Sequence, residues 1–184
     1  MMRTRRYRRT GLVTIVAGSS AALMALTGCG DVSANQAAVI DGKSVGESEL
    51  QETTAELNTI SAEPFTPAAV LSELTRAPFL DRAFSGTSVE LTDQQTTQFL
   101  ADNGLSDPTS LTVDVARARQ YQTLLQDSEV LQDPQVAEAV SSLQEITVAD
   151  IEALDVEVNP RYGSFDPQTA SIVPEDPKWI SSEG

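Results

Sequence analysis

The sequence contains no histidine and a single cysteine. Without an imidazole there is no base for a Ser-His-Asp or Cys-His nucleophile. With neither His nor a second Cys there is no ordinary zinc ligand set, and one Cys closes no intramolecular disulfide. Aromatics are sparse: five Phe, three Tyr and one Trp among 184 residues. Positive charge is scarce too. The 12 Lys and Arg face 27 Asp and Glu, a net charge of −15. That balance argues against nucleic acid as a partner, because phosphate recognition needs cations. At roughly 100–200 residues per domain, the length accommodates one domain with appendages.

The charge is unevenly spread. Arg3, Arg5, Arg6, Arg8 and Arg9 lie within the first nine positions, and no acidic residue precedes Asp31. Gly11 to Leu26 follows as an apolar stretch of 16 residues, short of the roughly 20 that a membrane span requires. A basic start, an apolar middle and small residues beyond describe a secretory signal peptide over residues 1–28. Arg5-Arg6 admits a twin-arginine route. The apolar residues expected after that pair are absent, however, and Arg8-Arg9 extend a merely basic start, so the export route stays open.

Leu26-Thr27-Gly28-Cys29 resembles the lipobox of bacterial lipoproteins: an aliphatic residue, a small residue, Gly or Ala, then Cys. The resemblance implies that signal peptidase reads Leu26, Thr27 and Gly28, that Cys29 is acylated, and that it becomes the new N-terminus. A plain signal with a buried Cys, or an uncleaved anchor, is the alternative. Acyl chains contribute about 0.8 kcal/mol per buried CH₂, so two or three hold a protein firmly to a bilayer. Removing residues 1–28 leaves 156 residues; 7 basic residues then face 27 acidic ones, a net −20. Such a body is mildly repelled by anionic lipid, so the anchor would supply the attachment. Arg outnumbers Lys, which occurs only at Lys43 and Lys178. That bias suits a high-GC bacterium and places the expected anchor on the outer face of the cytoplasmic membrane.

After a small polar tether at residues 29–35, Gln36 to Ile40 and Lys43 to Val45 flank Asp41-Gly42, the strongest short signal for a hairpin with a type I′ turn. Glu47 to Ile60 places Leu50, Thr53, Leu57 and Ile60 on one helical face, with acidic residues in the first turn. Thr66-Pro67 opens a second helix to about Phe84, in which Pro78 should produce a kink or a split. Thr92 to Gln95 has the form of a capping box and starts a third helix to Asp102. A fourth covers about Leu111 to Asp127, with Val115, Ala118, Tyr121 and Leu125 aligned. Asp133-Pro134 opens a fifth to Gln144, and Thr147 to Ala153 adds one more turn. Leu154 to Val158 alternates with period two, as a strand does. The remaining tail, rich in proline, reads as extended structure docked by Tyr162, Phe165 and Trp179. A lone hairpin is marginal in water, so the late strand is expected to pair with it. The expected fold is mainly α with a small β-sheet (α+β), beside five or six helices.

Three stretches, in this order, resemble the N-terminal domain of the SurA/PrsA family of extracytoplasmic chaperones and, in their helical part, trigger factor. These are AVIDGKSVGESEL (Ala38 to Leu50), VLSELTRAPFLDRAFSGTSVELTDQQ (Val70 to Gln95) and VEVNPRYGSFDP (Val156 to Pro167). The resemblance implies a domain over residues 36–166 and an extended tail over 167–184. It also implies a chaperone-like protein without the parvulin isomerase module, for which the chain has neither the length nor the histidines.

Carboxylates are the abundant reactive groups, densest at Glu47/Glu49/Glu52/Glu56 and Asp127/Glu129/Asp133. On polar helix faces they read as solvated surface rather than as a paired-carboxylate site. No Asp-x-Asp-x-Asp-Gly calcium loop occurs, and no metal, cofactor or catalytic residue is expected. Phe65, Phe79, Leu80, Phe84, Phe99 and Tyr121 are the candidate residues for an open apolar groove that holds unfolded or exported polypeptides. Their competing reading is core. A structural or assembly role toward one specific envelope protein is the alternative function.

Overall fold

The computed structural model describes residue 33 and residues 35–174. Leu26, Thr27, Gly28, Cys29 and Trp179, with the expected signal and anchor, lie outside the described residues. The protein is mainly helical with a small amount of sheet, as the sequence predicts. Among the described residues no helix is long and apolar enough to cross a membrane.

Strand β1 (Gln36–Ile40) turns through Asp41 (φ 51°) and Gly42 (φ 72°) into β2 (Lys43–Gly46). Both turn residues are left-handed, as a type I′ turn demands. Ala37 and Ala38 are consecutive and both fully buried, at a break in the β1–β2 register between Gln36 and Ala38. Helix α1 (Glu47–Ile60) follows directly. Helix α2 (Pro67–Phe84) begins where Thr66 Oγ1 accepts from the Ala69 N–H at 3.2 Å. It runs unbroken through Pro78, so the expected split does not occur. Proline removes one helical donor, the partner of the Leu74 carbonyl, and the surrounding packing carries the helix across that gap.

Helix α3 (Asp93–Asp102) has the predicted capping box between Thr92 and Gln95. Helix α4 (Ser110–Leu124) stops three residues short of the predicted Asp127. Asp127 instead turns the chain ahead of a 3-10 helix at Val130–Gln132, its Oδ1 accepting from the Glu129 N–H at 2.8 Å. Helix α5 (Pro134–Gln144) starts at its predicted Asp-Pro signal, and α6 (Val148–Glu152) is the expected short turn.

Strand β3 (Val156–Val158) pairs antiparallel with β1, Ala38 opposite Val158 and Ile40 opposite Val156, giving the order β2-β1-β3. The early hairpin and the late strand therefore meet in one sheet, as expected. The chain does not then run out as an extended tail from residue 167. Strands β4 (Ser164–Asp166) and β5 (Ser171–Val173) form a second hairpin. It is buttoned to α2 by two buried hydrogen bonds. Thr75 Oγ1 donates to the Ala170 carbonyl at 2.7 Å, and Ser72 Oγ accepts from the Ile172 N–H at 2.8 Å. Ile172 is buried by this packing.

The main core lies between the three-stranded sheet and α1, α2 and α4, around Ile40, Val45, Leu50, Val70, Leu71 and Val115. A second cluster joins the end of α2 to α4 and α5 through Leu80, Phe84, Tyr121 and Val136. A third, smaller one puts Leu100 of α3 against Val113 and Ala116 of α4. Leu100 and Ala116 of the third cluster also line the cleft that holds Phe65 and Phe99, the two of the six candidate groove residues that are not buried.

Candidate functional site

The six candidate residues do not form one groove. Phe79, Leu80, Phe84 and Tyr121 are 7%, 6%, 0% and 1% exposed and belong to the core. The Phe84 and Tyr121 rings stack with centroids 4.5 Å apart. Tyr121 Oη also accepts from the Leu91 N–H at 2.9 Å, fixing the connection ahead of α3. Helical spacing alone does not separate an inward stripe from an outward one, and here packing of α2 on α4 turned most of the aromatics inward.

Phe65 and Phe99 are brought together. Both line a cleft of about 180 Å³ between the end of α1, α3 and α4, with Leu57 and Leu100 buried beneath them. Phe99 is 45% exposed, the highest value among the large apolar side chains of the described residues. Phe65 is half-buried and is held in place. The Asn58 side chain clamps its backbone from both sides, Oδ1 accepting from the Phe65 N–H at 2.6 Å and Nδ2 donating to its carbonyl at 3.1 Å. Over the Phe65 ring lies the Arg119 guanidinium, 5.4 Å from the centroid, a cation–π distance. Arg119 also pairs with Glu73 at 3.3 Å. Glu73 is itself buried and accepts from Gln122 at 2.5 Å. Asn103 ends α3 by donating to the Phe99 carbonyl at 2.8 Å. The cleft thus has an apolar floor, two aromatic walls and a cationic edge.

A larger cleft of about 310 Å³ lies between the β1–β2 hairpin, α2 and α4. Its floor includes Leu74 and Pro78, and its rim carries Glu49, Asp81, Asp114 and Arg117. The geometry of Arg117 marks this rim as a strut. Its guanidinium meets Asp81 at 2.9 Å, Asp114 at 2.7 Å and Asp93 at 2.5 Å, tying α2, α3 and α4 together. Burial works against the Arg117 charge, but hydrogen bonding and attraction from Asp81, then Asp114, outweigh it and raise its pKa. No aromatic side chain lines this cleft. Phe79 borders a third cleft, beside Arg82, Leu143 and Ile146, which shares no lining residue with the Phe65–Phe99 cleft.

Several of the carboxylates read as solvated surface have structural partners, Glu56 and Glu47 among them. Glu56 caps the start of α4, accepting from the Thr109 N–H and Thr109 Oγ1 at 3.1 Å each and from Thr112 Oγ1. A negative charge there also suits the helix dipole. Glu47 at the start of α1 receives Arg161 and the Tyr162 hydroxyl, the latter at 3.1 Å. The Arg-Tyr-Gly turn thereby docks on α1. Attraction to Glu47 raises the Arg161 pKa. Among the described residues no group of three or more His, Cys, Asp or Glu is arranged to hold a metal ion.

Sequence reasoning missed Gln120 and Arg119, which line the aromatic cleft from α4. Neither stands in a motif; only the position of α4 against α1 and α3 brings them there. Neither family models, nor curated proteins, nor solved structures yield a match to this chain.

Proposed function

We propose that the protein is an exported, lipid-anchored chaperone-like factor that binds unfolded or exported polypeptides and has no prolyl isomerase activity. The observation that carries this reading is Phe99, 45% exposed beside Phe65 on an apolar cleft. Exposed aromatics grouped at a cleft are a common signature of a protein-binding surface. The ordered resemblance to SurA/PrsA domains and the signal-like, lipobox-like start of the chain support the same reading from sequence.

The magnitudes fit a weak, reversible holder. Burying one large apolar side chain is worth about 1.5–3 kcal/mol, which a cleft of this size can accept once per protein. Tight binding would not follow from that alone, and a factor that must release its clients does not require it. The acidic body keeps client complexes soluble through its net charge.

Suppression of aggregation of a denatured model protein tests the reading. The wild type should suppress light scattering, and Phe99→Ser should lose most of that effect while keeping its helical circular dichroism. No suppression at several-fold molar excess would overturn it. Stoichiometric capture of one folded envelope protein, undiminished by added unfolded client, would replace it with an assembly role.

A further inference from the structure

Gln120 lies on α4 along the wall of the Phe65–Phe99 cleft. Its Nε2 is buried and has no hydrogen-bond partner among the described residues. Several polar side chains around it are already engaged. Asn58 holds the Phe65 backbone, Asn103 the Phe99 carbonyl, and Arg119 the Glu73 carboxylate. Thr123 Oγ1 donates to the Arg119 carbonyl at 3.0 Å. Folded proteins leave few buried polar atoms unpaired, and each exception calls for an explanation.

Resting on the polypeptide reading above, we infer that Gln120 is the backbone-reading element of the cleft: it pairs with the main chain of an extended client segment whose apolar side chain enters between Phe65 and Phe99. A primary amide carries both donors and an acceptor, the same set that a peptide group presents. Asn58 already makes such a pairing with the Phe65 backbone. Gln120 has three rotatable side-chain bonds and can bring its amide outward to meet a client.

The same chemistry sets the preference. A helical segment has its carbonyls committed to internal hydrogen bonds and offers Gln120 nothing. An acyl chain has no acceptor at all. An extended, unfolded segment offers both a free carbonyl and a free N–H, whatever its side chains. The cleft therefore selects unfolded over folded polypeptide by its backbone, and apolar over polar segments by its walls.

Fluorescence anisotropy on the full-length chain tests this with two probes. One is a short labelled peptide with a single central Phe. The other is the same peptide with the amides flanking that Phe replaced by esters, which removes the N–H donors and weakens the acceptors. The wild type should bind the ester probe about threefold to tenfold more weakly. Gln120→Leu should bind the amide probe weaker by a similar factor and discriminate little between the two, since both changes delete one interaction. Its melting temperature should equal or exceed that of the wild type, because an unpaired buried amide has been removed. Binding by Gln120→Leu that matches the wild type on both probes would overturn the assignment while leaving the polypeptide reading intact. Undiminished discrimination between amide and ester in Gln120→Leu would overturn it in the same way. A wild type that binds neither probe would overturn the polypeptide reading, and this inference with it.

Discussion

The carbonyl group of Val173 occupies the space that a side chain on residue 163 would need. A Cβ built on Gly163 lies 2.9 Å from the Val173 carbonyl carbon and closer still to its oxygen. Gly163 also has φ +120°, a conformation open to glycine and costly for other residues. Gly163→Ala should lose about 1–3 kcal/mol from the backbone alone, with the clash adding to it. Urea unfolding of wild type and variant, followed by circular dichroism, measures the loss. The β4–β5 hairpin should detach first, which proteolysis near residue 170 would report.

One chemical change at two positions should have opposite effects. Thr75 and Thr96 are both fully buried. The Thr75 hydroxyl holds the Ala170 carbonyl at 2.7 Å, so Thr75→Val strands a buried acceptor and should cost about 1–3 kcal/mol. The Thr96 hydroxyl has no partner among the described residues. Thr96→Val exchanges an unpaired polar atom for a methyl of similar shape and should leave stability equal or higher. Paired thermal melts compare the two.

Arg117 should resist conservative replacement. Its side chain is 12% exposed, while Asp81, Asp93 and Asp114 are 41%, 85% and 42% exposed. Arg117→Met leaves three carboxylates facing one another without a cation. Because those partners are partly screened by water, the expected cost is about 1–3 kcal/mol. Arg117→Lys should recover little of it, since a single ammonium cannot reach three carboxylates in the fork geometry of a guanidinium. Urea midpoints in low and high salt separate the electrostatic part.

Stability should fall at both ends of the pH scale for separate reasons. The Asp133 carboxyl accepts from Ser88 Oγ at 2.7 Å and from the Gln135 N–H at 2.8 Å, and these bonds, the hydroxyl first, hold its pKa below 3.8. Asp150 is held below 3.8 by the Thr147 side chain, then its backbone. A folded pKa below the unfolded one stabilises at higher pH, and the contribution is lost as pH falls through the folded value. At the other end, burial raises the Tyr121 pKa above 10.0 against the opposing Leu91 hydrogen bond. That contribution is complete below the unfolded value and disappears as pH rises through the raised one. The starts of α5 and α6 should therefore loosen below pH 3.8, and the Phe84–Tyr121 cluster above pH 10. Amide exchange or chemical shifts at the two extremes would locate each change.

Local chemistry made much of the fold legible. Thr66-Pro67, Thr92 with Gln95, and Asp133-Pro134 are capping signals that act within one helical turn, and each helix begins where they stand. Asp41-Gly42 is equally local. The β4–β5 hairpin escaped because its strands are three residues long, too short for a period. Its turn ends in Ala170 at φ +47°, where Gly or Asn would have advertised it. The site was half legible for a related reason. A helical period identifies an apolar stripe but not what the stripe meets. In α3, adjacent Phe99 and Leu100 face outward and inward, and only the position of α4 decides which is which. Gln120, one glutamine among several, carries no sequence signal at all.

Unfolded polypeptide should bind at the cleft between α1, α3 and α4. Titrating a permanently unfolded, apolar-rich polypeptide into isotopically labelled protein, with amide chemical shifts as the readout, tests it most directly. Saturable shifts are expected at Leu57, Ile60, Phe65, Phe99, Arg119 and Gln120, reduced in Phe99→Ser. Shifts confined to the Arg117 cleft, or none at several-fold excess, would contradict it.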